Sequence, residues 1–232
     1  MNTVRLSTRL ATVASFVEVG AVVADIGSDH AYLPCYLVHN GTVQKAIAGE
    51  VVKGPYESAV RNVRREGLSS AVTVRLANGL LAIEEGDAVD TVTIAGMGGP
   101  LIATILDSGK DRLRGVKRII AQPNIYAKAI RDWAIANEWL IVDEAILKED
   151  GKIYEIIVLE KGTATYDELD LLVGPFLLQA KSAVFLEKWE REMAEWQRVL
   201  SSLEQAEQTE AIEARKRELT MHIDSVGKVL AT

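Results

Sequence analysis

One cysteine, Cys35, and three histidines are all the thiol and imidazole groups in 232 residues. That excludes an internal disulfide and a cysteine-rich zinc site, and no metal centre is expected. Cys35 reads as a small buried hydrophobe. No apolar run approaches the roughly 18 residues that span a bilayer, and Arg5 and Arg9 lie on an amphipathic pattern where a signal peptide would carry a hydrophobic block. The expectation is a cytoplasmic protein with no membrane partner. Positive charge is scarce as well: 26 Lys and Arg stand against 33 Asp and Glu, a net charge of -7, with a pI near 5.1. Phosphate contacts normally leave a basic footprint, so the total charge does not advertise nucleic-acid binding. Any such binding would rest on local clusters, namely Arg5 and Arg9, Arg61 with Arg64 and Arg65, and Lys110, Arg112, Arg114, Lys117 and Arg118. Each cluster also reads as ordinary solvated charge.

A composition of 48% hydrophobic and 25% charged residues is that of a globular chain with one sizeable core plus an appendage. Leu6, Leu10, Val13, Phe16 and Val17 recur at helical spacing and lead into an apolar, β-branched run at 21–26. Further strands are expected at 43–49, 72–76, 88–95 and 118–121, with helices at 31–39, 53–66 and 101–106 and another around Ile130 and Trp133. A final pair at 139–146 and 154–159 is joined through 148–152. Strands alternating with helices predict an α/β, doubly wound, mostly parallel sheet with an antiparallel final strand. After Gly162 the pattern changes. Phe185, Trp189, Met193, Trp196, Leu200 and Leu203, then Ile212, Leu219, Ile223, Val226 and Leu230, step by threes and fours along two antiparallel helices. The expected division is 1–162 as the sheet domain and 163–232 as a helical coiled-coil arm. The aromatic stripe of the arm reads either as its core or as a face for a macromolecular partner.

Polar and glycine signals fall at the carboxyl ends of successive strands, where open α/β sheets bind ligands. They are Asp25-Ile26-Gly27-Ser28-Asp29, Glu50, Asn78-Gly79, Gly96-Met97-Gly98-Gly99 and Gln122-Pro123-Asn124. Taken alone, the first is equally a buried strand followed by a glycine turn. Glu50, at the end of the second strand, is placed to accept hydrogen bonds from both ribose hydroxyls of an adenosine-containing cofactor. The G-x-G-x-x-G spacing that seats a pyrophosphate is absent, which disfavours NAD. Two acids at Asp25 and Asp29 suit a ligand with a positive end, as in S-adenosylmethionine.

The run Val23-Ala24-Asp25-Ile26-Gly27-Ser28-Asp29-His30-Ala31-Tyr32-Leu33-Pro34, with Ala48-Gly49-Glu50, Ala77-Asn78-Gly79-Leu80, Ile94-Ala95-Gly96-Met97-Gly98-Gly99 and Gln122-Pro123-Asn124, resembles Class I S-adenosylmethionine methyltransferases. More closely it resembles the bacterial tRNA (adenine-N1) methyltransferase family TrmK, which acts on adenine 22 of tRNA. That resemblance covers nearly the whole chain and implies a Rossmann-like domain followed by a helical coiled-coil domain, acting on tRNA. It places Asp25, Gly27 and Ser28 around the methionine part of the cofactor, Glu50 on the ribose, Asn78 and Gly79 at the adenine, and Ala95, Gly96 and Met97 along the same site. An Asn-Pro-Pro-Tyr loop, carried by amino-methyltransferases of nucleic acids, is absent. Adenine N1 has an in-plane lone pair and is neutral near pH 7, so little base catalysis is needed and direct in-line transfer is expected. Asp29 is the first catalytic candidate, with His30 and Tyr32 positioning the base. Asp29 equally reads as a helix cap, and His30 and Tyr32 as packing or capping residues. Met97, Gly98, Pro123 and Asn124 are candidate pocket walls, and Arg5, Arg9 and Arg61 candidate phosphate contacts. A monomer is expected. The alternatives are a methyltransferase for a small molecule or protein, and a non-catalytic cofactor-sensing module whose arm recruits a partner.

Overall fold

The computed structural model describes residues 5–205 and 209–231. The chain divides into two compact units, Met1–Thr165 and Tyr166–Thr232. In the first, α1 (Thr8–Ser15) is capped by Ser7, whose side chain accepts from the Leu10 amide. There follow β1 (Val22–Ile26), α2 (Tyr32–His39), β2 (Lys45–Glu50), α3 (Lys53–Arg65), β3 (Val72–Leu76), β4 (Thr91–Gly98), α4 (Gly99–Ser108), β5 (Arg118–Ile125), α5 (Lys128–Ala136), β6 (Trp139–Glu149) and β7 (Lys152–Lys161).

These strands form one seven-stranded sheet in the order β3-β2-β1-β4-β5-β7-β6. Only β7 runs against the others, pairing antiparallel with both β5 and β6. The chain moves outward one way through β1, β2 and β3 and the other way through β4 and β5. Right-handed crossovers therefore put the connecting helices on opposite faces, a Rossmann-like arrangement. Burial on both faces explains the continuous apolar runs: Val23, Ala24, Val92, Ile94, Ile119, Ile120 and Ala121 are fully buried. Leu6, Val13 and Val17 pack with Leu33, Leu37, Ile120 and Val158 in one core cluster. Cys35 is fully buried, and burial pushes its thiol up to about 11.

Several boundaries differ from expectation. Ala88, expected to open a strand, instead ends a 3-10 helix at Glu85–Asp87 with φ 55, and β4 starts at Thr91. At the other end β4 continues through Gly98, and β5 through Ile125, with register shifts around Met97. The segments expected to be loops are thus paired strand ends. Trp139 packs near Trp133 of α5, with ring centroids 6.4 Å apart.

The second unit contains two short helices that periodicity did not register, α6 (Glu168–Val173) and α7 (Pro175–Ala180), before α8 (Ala183–Glu204) and α9 (Glu210–Leu230). Lys181 Nζ donates to the Val229 carbonyl at 3.2 Å, and the Trp196 and His222 rings lie 5.3 Å apart. Pairing of the start of α8 with the end of α9, and of their middles, makes the two helices antiparallel. Phe185, Trp189, Leu219 and Val226 are buried, so much of the aromatic stripe is core.

Candidate functional site

The strand order reverses between β1 and β4, which opens a crevice at their carboxyl ends. Gly27 leaves β1 at φ 70, and the Gly27 and Ser28 amides both donate to the Gly49 carbonyl, at 2.9 and 3.2 Å. This folds the loop back toward β2. Asp29, His30 and Ala31 continue with φ of 41, 68 and 57. Three successive non-glycine residues in the left-handed region store strain of a kind that gathers at functional sites, and Asn62 of α3 holds them by donating to the His30 carbonyl at 2.9 Å. The N-cap of α2 is Ala31, with no side-chain cap bond. The capping role considered for Asp29 is therefore not realised: its side chain is 82% exposed, 3.5 Å from His30 Nε2. The His30 and Tyr32 rings are 5.4 Å apart.

Two acids behind this loop are buried. Asp25 accepts from Ser28 Oγ at 2.5 Å and from Thr93 Oγ1 at 2.7 Å. Burial pushes its carboxyl above the usual range, those two hydroxyls oppose the shift, and the charge of Asp29 adds to it. Glu50 is also pushed up, first by burial, while a hydrogen bond from the Asp29 amide pulls it down. Its Oε1 is buried and has no hydrogen-bond partner among the described residues. A buried carboxylate oxygen left unpaired is costly, and a hydrogen-bond donor on a ligand would relieve it.

On the other side of the crevice two neutral amides, Gln122 and Asn124, tie the strand ends together and engage the Arg9 cation. Gln122 is fully buried. Its Oε1 accepts from Arg9 Nη1 and from the Gly96 amide at 3.0 Å, and its Nε2 donates to the Pro123 carbonyl at 2.7 Å. Asn124 Nδ2 returns to the Gly96 carbonyl at 2.8 Å. This network closes the bulged ends of β4 and β5. The Arg9 guanidinium also lies 5.4 Å from the centre of the Tyr154 ring.

Between the two sides lies a cavity of about 350 Å³. Of the residues singled out from sequence, Asp25, Gly27, Ser28, Asp29, Tyr32, Ala95, Gly96, Met97, Asn124 and Arg9 line it. Glu50 sits beside it, joined through the Asp29 amide. Asn78 precedes and Gly79 opens a 3-10 turn after β3 that packs against β2. Pro123 and Gly98 are in the paired strand ends. Arg61 lies outside the cavity on the exposed face of α3, where it donates to Ser58, and Arg5 is exposed ahead of α1. Sequence reasoning missed Tyr154, Thr93 and Gln122 as site residues. Gln122 stood inside a quoted motif and was the one with a readable signal, a polar side chain interrupting a buried strand.

The family model for tRNA (adenine(22)-N(1))-methyltransferase, TrmK, matches residues 23–228. The chain belongs to this family. It is 49% identical, over 99% of each chain, to the tRNA (adenine(22)-N(1))-methyltransferase of Bacillus subtilis. A Streptococcus pneumoniae protein solved in complex with S-adenosyl-L-methionine is 46% identical over 97% of this chain and 100% of that one, with a TM-score of 0.89. The Mycoplasma capricolum family member, solved with S-adenosyl-homocysteine, is 29% identical over 97% and 98% of the two chains, with a TM-score of 0.84. As a family member the protein is a tRNA (adenine-N1) methyltransferase. Among the described residues no group of His, Cys, Asp and Glu is built to hold a metal, and no helix is long and apolar enough to cross a membrane.

Proposed function

We propose that the two sides of the crevice divide the family's reaction between them. The methyl donor is S-adenosylmethionine, which supplies an electrophilic methyl group on a sulfonium. Asp25, Gly27 and Ser28 hold its methionine part, Glu50 takes the ribose hydroxyls, Asn78 and Gly79 border its adenine, and Ala95, Gly96 and Met97 complete the wall. The observation that carries this assignment is the buried, unpartnered Oε1 of Glu50, because hydroxyl donors satisfy it and a pyrophosphate would be repelled. The tRNA adenine enters against Gly98, Pro123 and Asn124, with its N1 in line with the methyl group.

Adenine N1 is already a nucleophile at neutral pH, so the protein contributes mainly position and exclusion of water. The product base is cationic. Asp29, exposed at the cavity mouth, accepts a hydrogen bond from the exocyclic amine and stabilises the developing charge, while His30 and Tyr32 orient the base. Arg5, Arg9 and Arg61 are read as phosphate contacts, although Arg9 is engaged with Gln122 and its contact would have to come from the same guanidinium. Residues 163–232 are read as an antiparallel coiled-coil arm that docks tRNA. A monomer acting in the cytoplasm completes the reading.

The test is Asp29→Ala, assayed by labelled methyl transfer to transcript tRNA alongside cofactor affinity. Losing one hydrogen bond to a charged group, about 1.5–3 kcal/mol, should lower turnover roughly ten- to a hundredfold and change cofactor binding less. Near-normal turnover removes Asp29 from the mechanism.

A further inference from the structure

The carboxyl end of β5 carries a side chain that neither the cavity nor the core uses. Tyr126 is 72% exposed, yet its backbone sits at φ 57, which a bulky L-residue adopts only under strain. The strain is held by the surrounding backbone and not by the ring. Gly99, at the start of α4, approaches so closely that a Cβ there would lie 2.0 Å from the Tyr126 carbonyl oxygen. That same oxygen accepts from the Ala129 amide at 3.2 Å. An ordered, strained backbone that delivers an aromatic ring into water gains nothing for folding, and such outliers are retained where the side chain has work to do.

The position indicates the work. Asn124, two residues earlier, lines the cavity. Ile125 pairs with Gly98 across the sheet and is 60% exposed, and Leu101, in the first turn of α4, is 53% exposed. Tyr126 therefore follows directly on the strand end whose Asn124 lines the cavity on the side opposite the buried acids, with exposed apolar side chains at Ile125 and in the first turn of α4. The adenine to be methylated must leave its stack to reach the cofactor, and its departure bares the faces of the neighbouring bases. Aromatic side chains take up such faces, and they do so for any base because every base has a π-face.

We propose that Tyr126 is a stacking platform for the tRNA nucleobase next to the adenine being methylated. The proposal rests on the reading that the adenine enters the cavity between β4 and β5. Tyr126 acts on placement of the RNA and takes no part in bond making, and it tolerates any base identity at the stacked position.

The test compares Tyr126→Gly and Tyr126→Phe in the full-length protein, with steady-state methylation of transcript tRNA, cofactor affinity by calorimetry and melting temperature. Glycine suits a positive φ, so Tyr126→Gly should melt at or above the parent temperature while KM for tRNA rises about tenfold. Cofactor affinity and kcat at saturating tRNA should hold, and Tyr126→Phe, which keeps the stacking face, should stay within about twofold of the parent. An unchanged KM for tRNA in Tyr126→Gly overturns the proposal. So does a loss of melting temperature and cofactor affinity in step with activity, which would make the ring structural. The cavity reading fails separately, through unchanged cofactor affinity in Glu50→Gln, a measurement Tyr126 does not enter; that result would remove the proposal with it.

Discussion

The two sides of the crevice solve opposite problems. On the β1–β2 side, Asp25 and Glu50 are buried carboxylates raised by desolvation, and one oxygen is left without a partner. On the β4–β5 side, Gln122 and Asn124 are neutral amides whose bonds join Arg9, Gly96 and Pro123 into a closed frame. The first side carries an unsatisfied cost that binding can relieve; the second is already tied by hydrogen bonds before anything binds. On the proposed reading the first side takes the charged, hydroxyl-bearing cofactor and the second the flat neutral base that must be held in line. Stability has been given up where the ligand can restore it and kept where the geometry must not move.

The comparison breaks most visibly through Gly99. Its missing Cβ makes room for the Tyr126 and Ile125 carbonyls, which are backbone and cannot swing aside. Gly99→Ala should therefore destabilise the frame side by about 3 kcal/mol, the upper end of overpacking costs, as read from urea unfolding. A loss of a few tenths would show that this side yields more easily than its hydrogen bonds imply.

Next in size is Glu50→Gln, which sharpens the contrast because its two effects have opposite signs. Removing a buried charge should raise the melting temperature of the free protein, while cofactor affinity falls roughly ten- to a hundredfold with the loss of a charge-assisted bond. The pH dependence follows the same logic. A carboxyl raised in the folded state costs stability as the pH climbs from its ordinary value through the raised one, so the free protein should gain stability as the pH falls through that window. Cofactor affinity should move the other way and weaken over the same window, since the ionised carboxylates accept its hydrogen bonds. Calorimetric titration across that window, showing affinity rising on acidification, would reverse the assignment of the acid side. The smallest effect belongs to Arg61→Glu on the exposed face of α3. It should weaken tRNA binding only a few-fold and lower the salt slope by about one; no change in either places the docking surface elsewhere.

How far the site could be read in advance varied with how local its causes are. The glycine at 27, the acids around it and the order of polar signals at strand ends were legible because each belongs to a short segment with its own backbone logic. The extents of β4 and β5 were not. Periodicity stops at the last β-branched residue, whereas the strands continue to Gly98 and Ile125, where Gln122 and Asn124 tie the glycine-bearing end of β4 in place. Arg9 read as a surface cation, and its partners Gln122 and Tyr154 lie more than a hundred residues away. Asp29 read equally as a cap and as a catalytic group, and only the left-handed run through Ala31 excluded the first.

By itself the sequence determined the alternation of strand and helix, the change to a helical arm after the sheet, and the motif set that marks the family, since these follow from hydrophobic period and from backbone conformations that few residues can adopt. The tertiary structure alone decided which acids are buried, which oxygen of Glu50 lacks a partner, which amides close the frame and which aromatic ring stands in water beside the cavity. Burial and hydrogen-bond satisfaction depend on atoms brought together from distant segments, and no local pattern encodes them.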